Sequence, residues 1–145
     1  MKTIKAIKDS PRAEETPTHK VVFNQIQNEI IMQNEEAVVY CEKEYPETCN
    51  EFKNIMAEQY VLFCKKQKNY GPGNISVGTD LRTDGDVKLS LTGLWFRIND
   101  KVQRLKQLII LGHKDEVGES ELDTFQDLSV YGIIAQIVSA KKWGK

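Results

Sequence analysis

The sequence predicts a mainly α-helical protein: a small helical bundle with a long Gly-rich loop and a flexible N-terminal arm. Three observations carry this. Apolar residues recur at helical spacing through two long segments, 52–63 and 91–109. A third segment, 119–138, continues one helical arc that is acidic at first and apolar later. The glycines and prolines of the chain's middle gather between the first two of these segments. With 145 residues the chain has room for one real core, expected over residues 21–145 behind an arm at 1–20.

The arm is polar. The run from Asp9 to Pro17 holds two prolines, three acids and little that can be buried. Val21, Val22 and Phe23 open the first apolar patch, and Phe23, Ile26 and Ile30 fit a helix. The segment Ala37–Tyr45 is ambiguous between strand and helix, and Pro46 interrupts it. From about Thr48 to Lys68 the reading is helix. Phe52, Ile55, Met56, Gln59, Tyr60 and Phe63 share a face, while Glu51, Glu58 and Lys65 lie elsewhere. The turn at Asn69-Tyr70-Gly71-Pro72-Gly73 ends it. Residues 69–86 then read as an irregular loop. The next helix is expected from Asp84 or Asp86, either of which could cap it. Val87–Leu91 also alternates like a strand. Helix is preferred, because 91, 94, 95, 98, 102, 105 and 109 make a continuous stripe. Gly112 is the expected stop. The last helix is expected from Glu119 to Ala140, followed by a polar tail, 141–145.

Composition excludes several function classes. A net charge of −1 supplies no field that would draw the protein to nucleic acid or to an anionic membrane. No apolar run approaches the roughly 20 residues of a membrane span, and the N-terminus lacks the apolar core of a secretory signal. Cys41, Cys49 and Cys64 are odd in number and fit no zinc or CxxC spacing, so reduced thiols and a cytoplasmic protein are expected. His19 and His113 are too few and too scattered to support a Ser-His-Asp or Cys-His site. Trp95 and Tyr131 read as core residues, and His113 as a cation just past a helix end.

The candidate site lies in the last two long helices. With Arg97 at the origin of a helical wheel, Lys101 falls at about 40°, Arg104 at about 340° and Asp100 at about 300°, beside an apolar stripe at roughly 60–160°. Three cations that border a core, rather than oppose it, are placed to pair with acids or to grip a phosphate. On the last helix Glu119, Asp123 and Asp127 share an arc with Val130, Ile134, Ile137 and Val138. Burying carboxylates costs free energy unless cations or a metal compensate. Two compensators are open: the Arg97, Lys101 and Arg104 edge, or Mg²⁺, which prefers carboxylate oxygen. An ion-pair network between two antiparallel helices would produce the same pattern. The loop adds Lys68, Tyr70, Gly71 and Asn74. Glycine permits close backbone approach, Tyr70 could stack on a base and Lys68 could meet a phosphate. No P-loop is present.

Three ordered blocks resemble the family called nucleotide modification associated domain 1, a phage-type domain formerly of unknown function. They are Lys68-Asn69-Tyr70-Gly71, then Arg97-Ile98-Asn99-Asp100-Lys101-Val102-Gln103-Arg104-Leu105, then Glu119 to Tyr131 with Ser120, Asp123, Thr124, Asp127 and Leu128. The resemblance spans about residues 50–140. It implies a link to nucleotide metabolism or DNA base modification in bacteriophages. The pattern is also similar to all-helical nucleoside triphosphate pyrophosphatases of the MazG and dUTPase type, which hold Mg²⁺ with carboxylates from two helices. On that likeness Glu119, Asp123 and Asp127 would be the catalytic, metal-binding acids, with Lys68, Tyr70, Gly71, Asn74, Arg97, Asp100, Lys101 and Arg104 binding the nucleotide. Glu51 and Glu58, the natural second share of acids, point away from their helix's apolar face. Two functions are therefore expected: a Mg²⁺-dependent nucleotide pyrophosphohydrolase, or a non-catalytic nucleotide binder that counters host nucleotide-signal defence. A third reading makes the charges purely structural. A homo-oligomer is expected, since helical domains of this size often complete their core in one.

Overall fold

The computed structural model describes Gln25 and residues 28–145. The expectations for the 1–20 arm, for Val21–Phe23 and for Ile26 lie outside these residues. The chain divides into two compact units, Met1–Asn50 and Glu51–Lys145. All regular structure among the described residues is helical.

In the first unit a helical stretch over 28–33 is followed by α1 (Glu35–Glu44). The ambiguous Ala37–Tyr45 segment is thus helix. Pro46 does break the chain there, but it does so as the first residue of α2 (Pro46–Tyr70). Its fixed φ suits a helix start and its missing N–H costs nothing at that position.

In the second unit α2 ends at Gly71, whose φ of +65 continues the chain in a conformation open to glycine. The 69–86 segment is more ordered than a loop reading allows. It holds one turn of helix, α3 (Gly73–Ser76), and then two non-glycine residues at positive φ, Val77 and Leu81. Such a conformation costs free energy for a β-branched or bulky side chain. At Leu81 the compensation is burial, since only 1% of it is exposed.

Helix α4 (Asp84–Leu105) is capped by Thr83, correcting the expectation that Asp84 or Asp86 would cap it. The Thr83 hydroxyl accepts from the Asp86 N–H, and the Asp86 carboxylate accepts from the Thr83 N–H. This reciprocal box satisfies two donors that a helix start leaves orphaned. A π turn, Lys106–Ile110, extends α4, and Gly112 at φ +67 stops it as expected. Helix α5 (Glu121–Ser139) starts later than expected because Ser120 and Asp123 form a second capping box.

α4 and α5 pack antiparallel. Arg104 meets Thr124 and Lys101 meets Asp127, so three steps back along one helix match three steps forward along the other. The buried core is Ile75, Leu81, Leu94, Ile134, Val138 and Trp143, with Phe63, Val87, Leu91, Val130, Tyr131, Ala135 and Ile137 packed around it. Ser90 is fully buried and its hydroxyl donates to the Ile75 carbonyl at 2.7 Å, fastening α3 to α4.

Three expectations about burial need correction. Trp95 is exposed and stacks edge-on against Phe96; the stripe on α4 is wider than the surface that α5 and α3 cover. The tail is not simply polar, because Trp143 is buried against Phe63. On α2 the predicted apolar face packs at Phe63, while Phe52, Ile55, Met56 and Tyr60 remain exposed. No helix among the described residues is long and apolar enough to cross a membrane.

Candidate functional site

The charged constellation separates into two parts, an ion-pair network between α4 and α5 and a cleft beside it. Lys101 is the hub of the network. Its Nζ lies 2.8 Å from Glu119 Oε1 and 2.9 Å from Asp127 Oδ2, and Asp127 also receives Lys66 of α2 at 3.2 Å. Arg104 spreads its planar fork over the start of α5. Nη1 donates to Thr124 Oγ1 at 2.9 Å and meets Glu119 Oε2 at 2.7 Å. Nη2 meets Asp115 Oδ1 at 3.1 Å and donates to the Glu119 carbonyl. Both cationic side chains are largely buried.

These contacts shift the acids and the base in opposite directions. Burial pushes the Asp127 carboxyl up, but hydrogen bonds from Lys101 and Lys66 outweigh it and hold it below the ordinary carboxylate value. Hydrogen bonds to Glu119 and Asp127 raise Lys101 against the effect of its own burial. For Asp115 burial again works upward, and the Val117 N–H and Arg104 pull it down. Stability contributed by a lowered carboxyl is complete above the unfolded value of about 4. It is lost as pH falls through the lower folded value. Stability contributed by Lys101 is complete below its unfolded value of about 10.4 and lost as pH rises through the folded one. Thermal unfolding followed across pH should show both limbs, and Asp127→Asn should flatten the acid limb relative to the parent protein.

The predicted acids do not converge. Glu119 and Asp127 meet on Lys101, but the Asp123 carboxylate accepts from the Ser120 N–H in the α5 capping box. Among the described residues no group of three or more acids, histidines or cysteines is arranged to hold a metal ion. The oxygens of Glu119, Asp123 and Asp127 face lysine, arginine and backbone N–H groups.

Beside the network lies a cleft of about 420 Å³, within the size range of small-molecule sites. Its apolar wall includes Phe63, Ile75, Val130, Tyr131, Ile134 and Trp143. The polar groups around it are Lys66, Gln67, Tyr70, Asn74, Arg97 and Asp127. Arg97 reaches from α4 to the start of α3, where Nη2 donates to the Asn74 carbonyl at 3.0 Å. That single bond orients the guanidinium and leaves most of its donors for another partner. The Trp143 indole N–H donates to the Pro72 carbonyl at 2.9 Å, which seats the tail against the α2–α3 turn.

Of the predicted binding residues, Tyr70, Asn74 and Arg97 come together at this cleft, and Asp127 joins them. Lys101 and Arg104 belong to the network. Gly71 shapes the turn. Lys68 and Asp100 are exposed and have no ion-pair partner among the described residues. Sequence reasoning missed Lys66, Gln67, Asp115 and Trp143. Lys66 and Gln67 had a signal: both fall within about 60° of Phe63 on the α2 wheel, on the apolar side rather than opposite it. An isolated Trp in a lysine-rich tail was the signal for Trp143.

Comparison of the chain with protein-family models, curated proteins and solved structures gives no match.

Proposed function

We propose that the protein binds a nucleotide, or a small molecule derived from one, in the cleft formed by the C-terminal half of α2, α3, α4 and α5. The observation that carries this reading is the placement of Arg97 and Lys66 at the edge of a cleft walled by aromatic rings. Guanidinium and ammonium groups grip phosphate through charge-assisted hydrogen bonds. Tyr70 is 66% exposed at the rim, free to lie against a base or ribose. Asp127 does not repel an anion there with a full charge, because Lys66 and Lys101 both pair with it.

Holding, rather than hydrolysis, is the favoured form of this function. Glu119 and Asp127 are committed to Lys101, and Asp123 to the helix cap. The proposal extends to kinship with the nucleotide modification associated domain 1 family, on the three blocks that resemble it, and to a role in nucleotide metabolism or in countering host nucleotide-signal defence within an infected cytoplasm.

Isothermal titration calorimetry against a panel of nucleoside mono-, di- and triphosphates and cyclic nucleotides, with and without Mg²⁺, tests the reading. At least one ligand should bind. Arg97→Ala should weaken it by roughly tenfold or more, the scale of a lost charge-assisted hydrogen bond. The ligand recovered after denaturation should be intact. Metal-dependent products would favour the pyrophosphohydrolase, and silence across the whole panel would sink the nucleotide reading in both forms.

A further inference from the structure

The ion pairs beside the cleft balance one another. Lys66 and Lys101 both meet Asp127, Lys101 also meets Glu119, and Arg104 meets Glu119 and Asp115. Three cations face three acids, so this network has no net charge. Arg97 stands outside it. Among the described residues Arg97 has no ion-pair partner, and its hydrogen bond goes to the uncharged Asn74 carbonyl. The charged side chains lining the cleft are, among the described residues, Lys66, Arg97 and Asp127. Lys66 and Asp127 pair at 3.2 Å. The cleft therefore presents one unbalanced charge, and it is positive. Lys65 and Lys68 lie about 100° and 160° from Lys66 on the α2 wheel and do not line the cleft.

That balance selects among nucleotides. A phosphodiester carries a single negative charge, a phosphomonoester about −1.5 to −2 at neutral pH, and each further phosphate adds more. Charge beyond what the cleft balances gives up water without gaining a partner. The surplus of a di- or triphosphate would also lie beside the Asp127 carboxylate. Resting on the nucleotide reading of the cleft, we propose that its ligand is a nucleotide with one phosphodiester charge, of which a cyclic monophosphate is the smallest, and that nucleoside polyphosphates are selected against. Arg97 takes the charge with the donors that the Asn74 carbonyl leaves over. Lys66 gives one N–H to Asp127 and offers the phosphate another, adding a hydrogen bond without adding unbalanced charge. The rings of Phe63, Tyr131 and Trp143 form the apolar wall for the base.

The test is calorimetry on the full-length chain with matched sets, for each base, of the nucleoside, its 3′,5′-cyclic monophosphate and its 5′-mono-, di- and triphosphates. EDTA is present, so that each ligand keeps its own charge. For the preferred base the cyclic monophosphate should bind about tenfold or more tighter than the nucleoside, and tighter than the di- and triphosphate. Arg97→Gln should bring the cyclic monophosphate down to the nucleoside's affinity. Asp127→Asn leaves the network with one cation in excess, and should move the preference severalfold toward the 5′-monophosphate and diphosphate. Gln67→Lys adds a cation to the lining without touching the network, and should move it the same way even if the Asp127 variant fails to fold. A triphosphate that outbinds the cyclic monophosphate overturns the single-charge proposal and leaves the nucleotide reading standing. A preference that Gln67→Lys does not move overturns it too, since charge would then not be what selects. Silence from every phosphate-bearing ligand overturns the nucleotide reading, and this proposal with it.

Discussion

Trp143→Ala is expected to lower the unfolding free energy by about 3–5 kcal/mol, the cost of truncating a large aromatic in a core. Trp143 lies beyond the end of α5 yet is 5% exposed. Its ring meets Phe63 of α2 edge-on, at 6.1 Å between centroids, and its N–H satisfies the Pro72 carbonyl. It therefore joins two places distant in sequence: the end of α2 with its turn into α3, and the segment beyond α5. The remaining core is small, so the space left by the indole has few neighbours able to close it. Urea denaturation of the parent and the variant measures the loss directly. Trp95→Ala is the matched control: the same side chain, exposed on α4, should change stability by well under half as much. Trp143 also walls the cleft, so the variant should lose ligand affinity even where it remains folded.

The helical class and the paths of the three long helices were legible in the sequence, where the antiparallel ion pairing stood as one alternative to a metal or phosphate site. Each rests on local period, and period survives folding. Ends were less legible. Thr83 and Ser120 cap their helices through hydroxyls, while the neighbouring aspartates that drew attention act three residues in, as the reciprocal half of each box. A wheel drawn through Asp123 puts it on the core-facing arc, but a residue in the first turn answers first to the orphaned N–H groups of that turn. What covers a stripe was not legible either. Periodicity shows that Trp95 and Met56 lie on apolar arcs, but burial depends on a neighbour, which the arc itself does not specify. The cleft was half legible: Tyr70, Asn74 and Arg97 were found from the loop and the cation edge. Lys66 was missed because a lysine on an apolar arc looks like noise until Asp127 is seen to meet it.

Arg104→Met is expected to cost about 2–4 kcal/mol. Breaking one side of a buried ion pair typically costs about 3–5 kcal/mol, and here partial exposure of Glu119 and Asp115 lets water repair some of it. The substitution strands the Glu119 carbonyl and takes one partner from Thr124, which is fully buried and keeps only its bond to the Ser120 carbonyl. Lysine at this position should recover only part of the loss, because an ammonium cannot span Thr124, Glu119 and Asp115 with a planar fork. Denaturant unfolding of the two variants checks the order, parent above Arg104→Lys above Arg104→Met. The comparison with Arg97 then decides what each cation is for. Arg97 donates one hydrogen bond to a backbone carbonyl and lies exposed at the cleft, so Arg97→Ala should leave stability nearly unchanged while weakening nucleotide binding. Arg104 lies outside the cleft lining, so folded Arg104→Lys should bind as the parent does. If the two substitutions instead moved stability and binding together, the network and the cleft would be one site, and the division of labour between two arginines seven residues apart on one helix would be wrong.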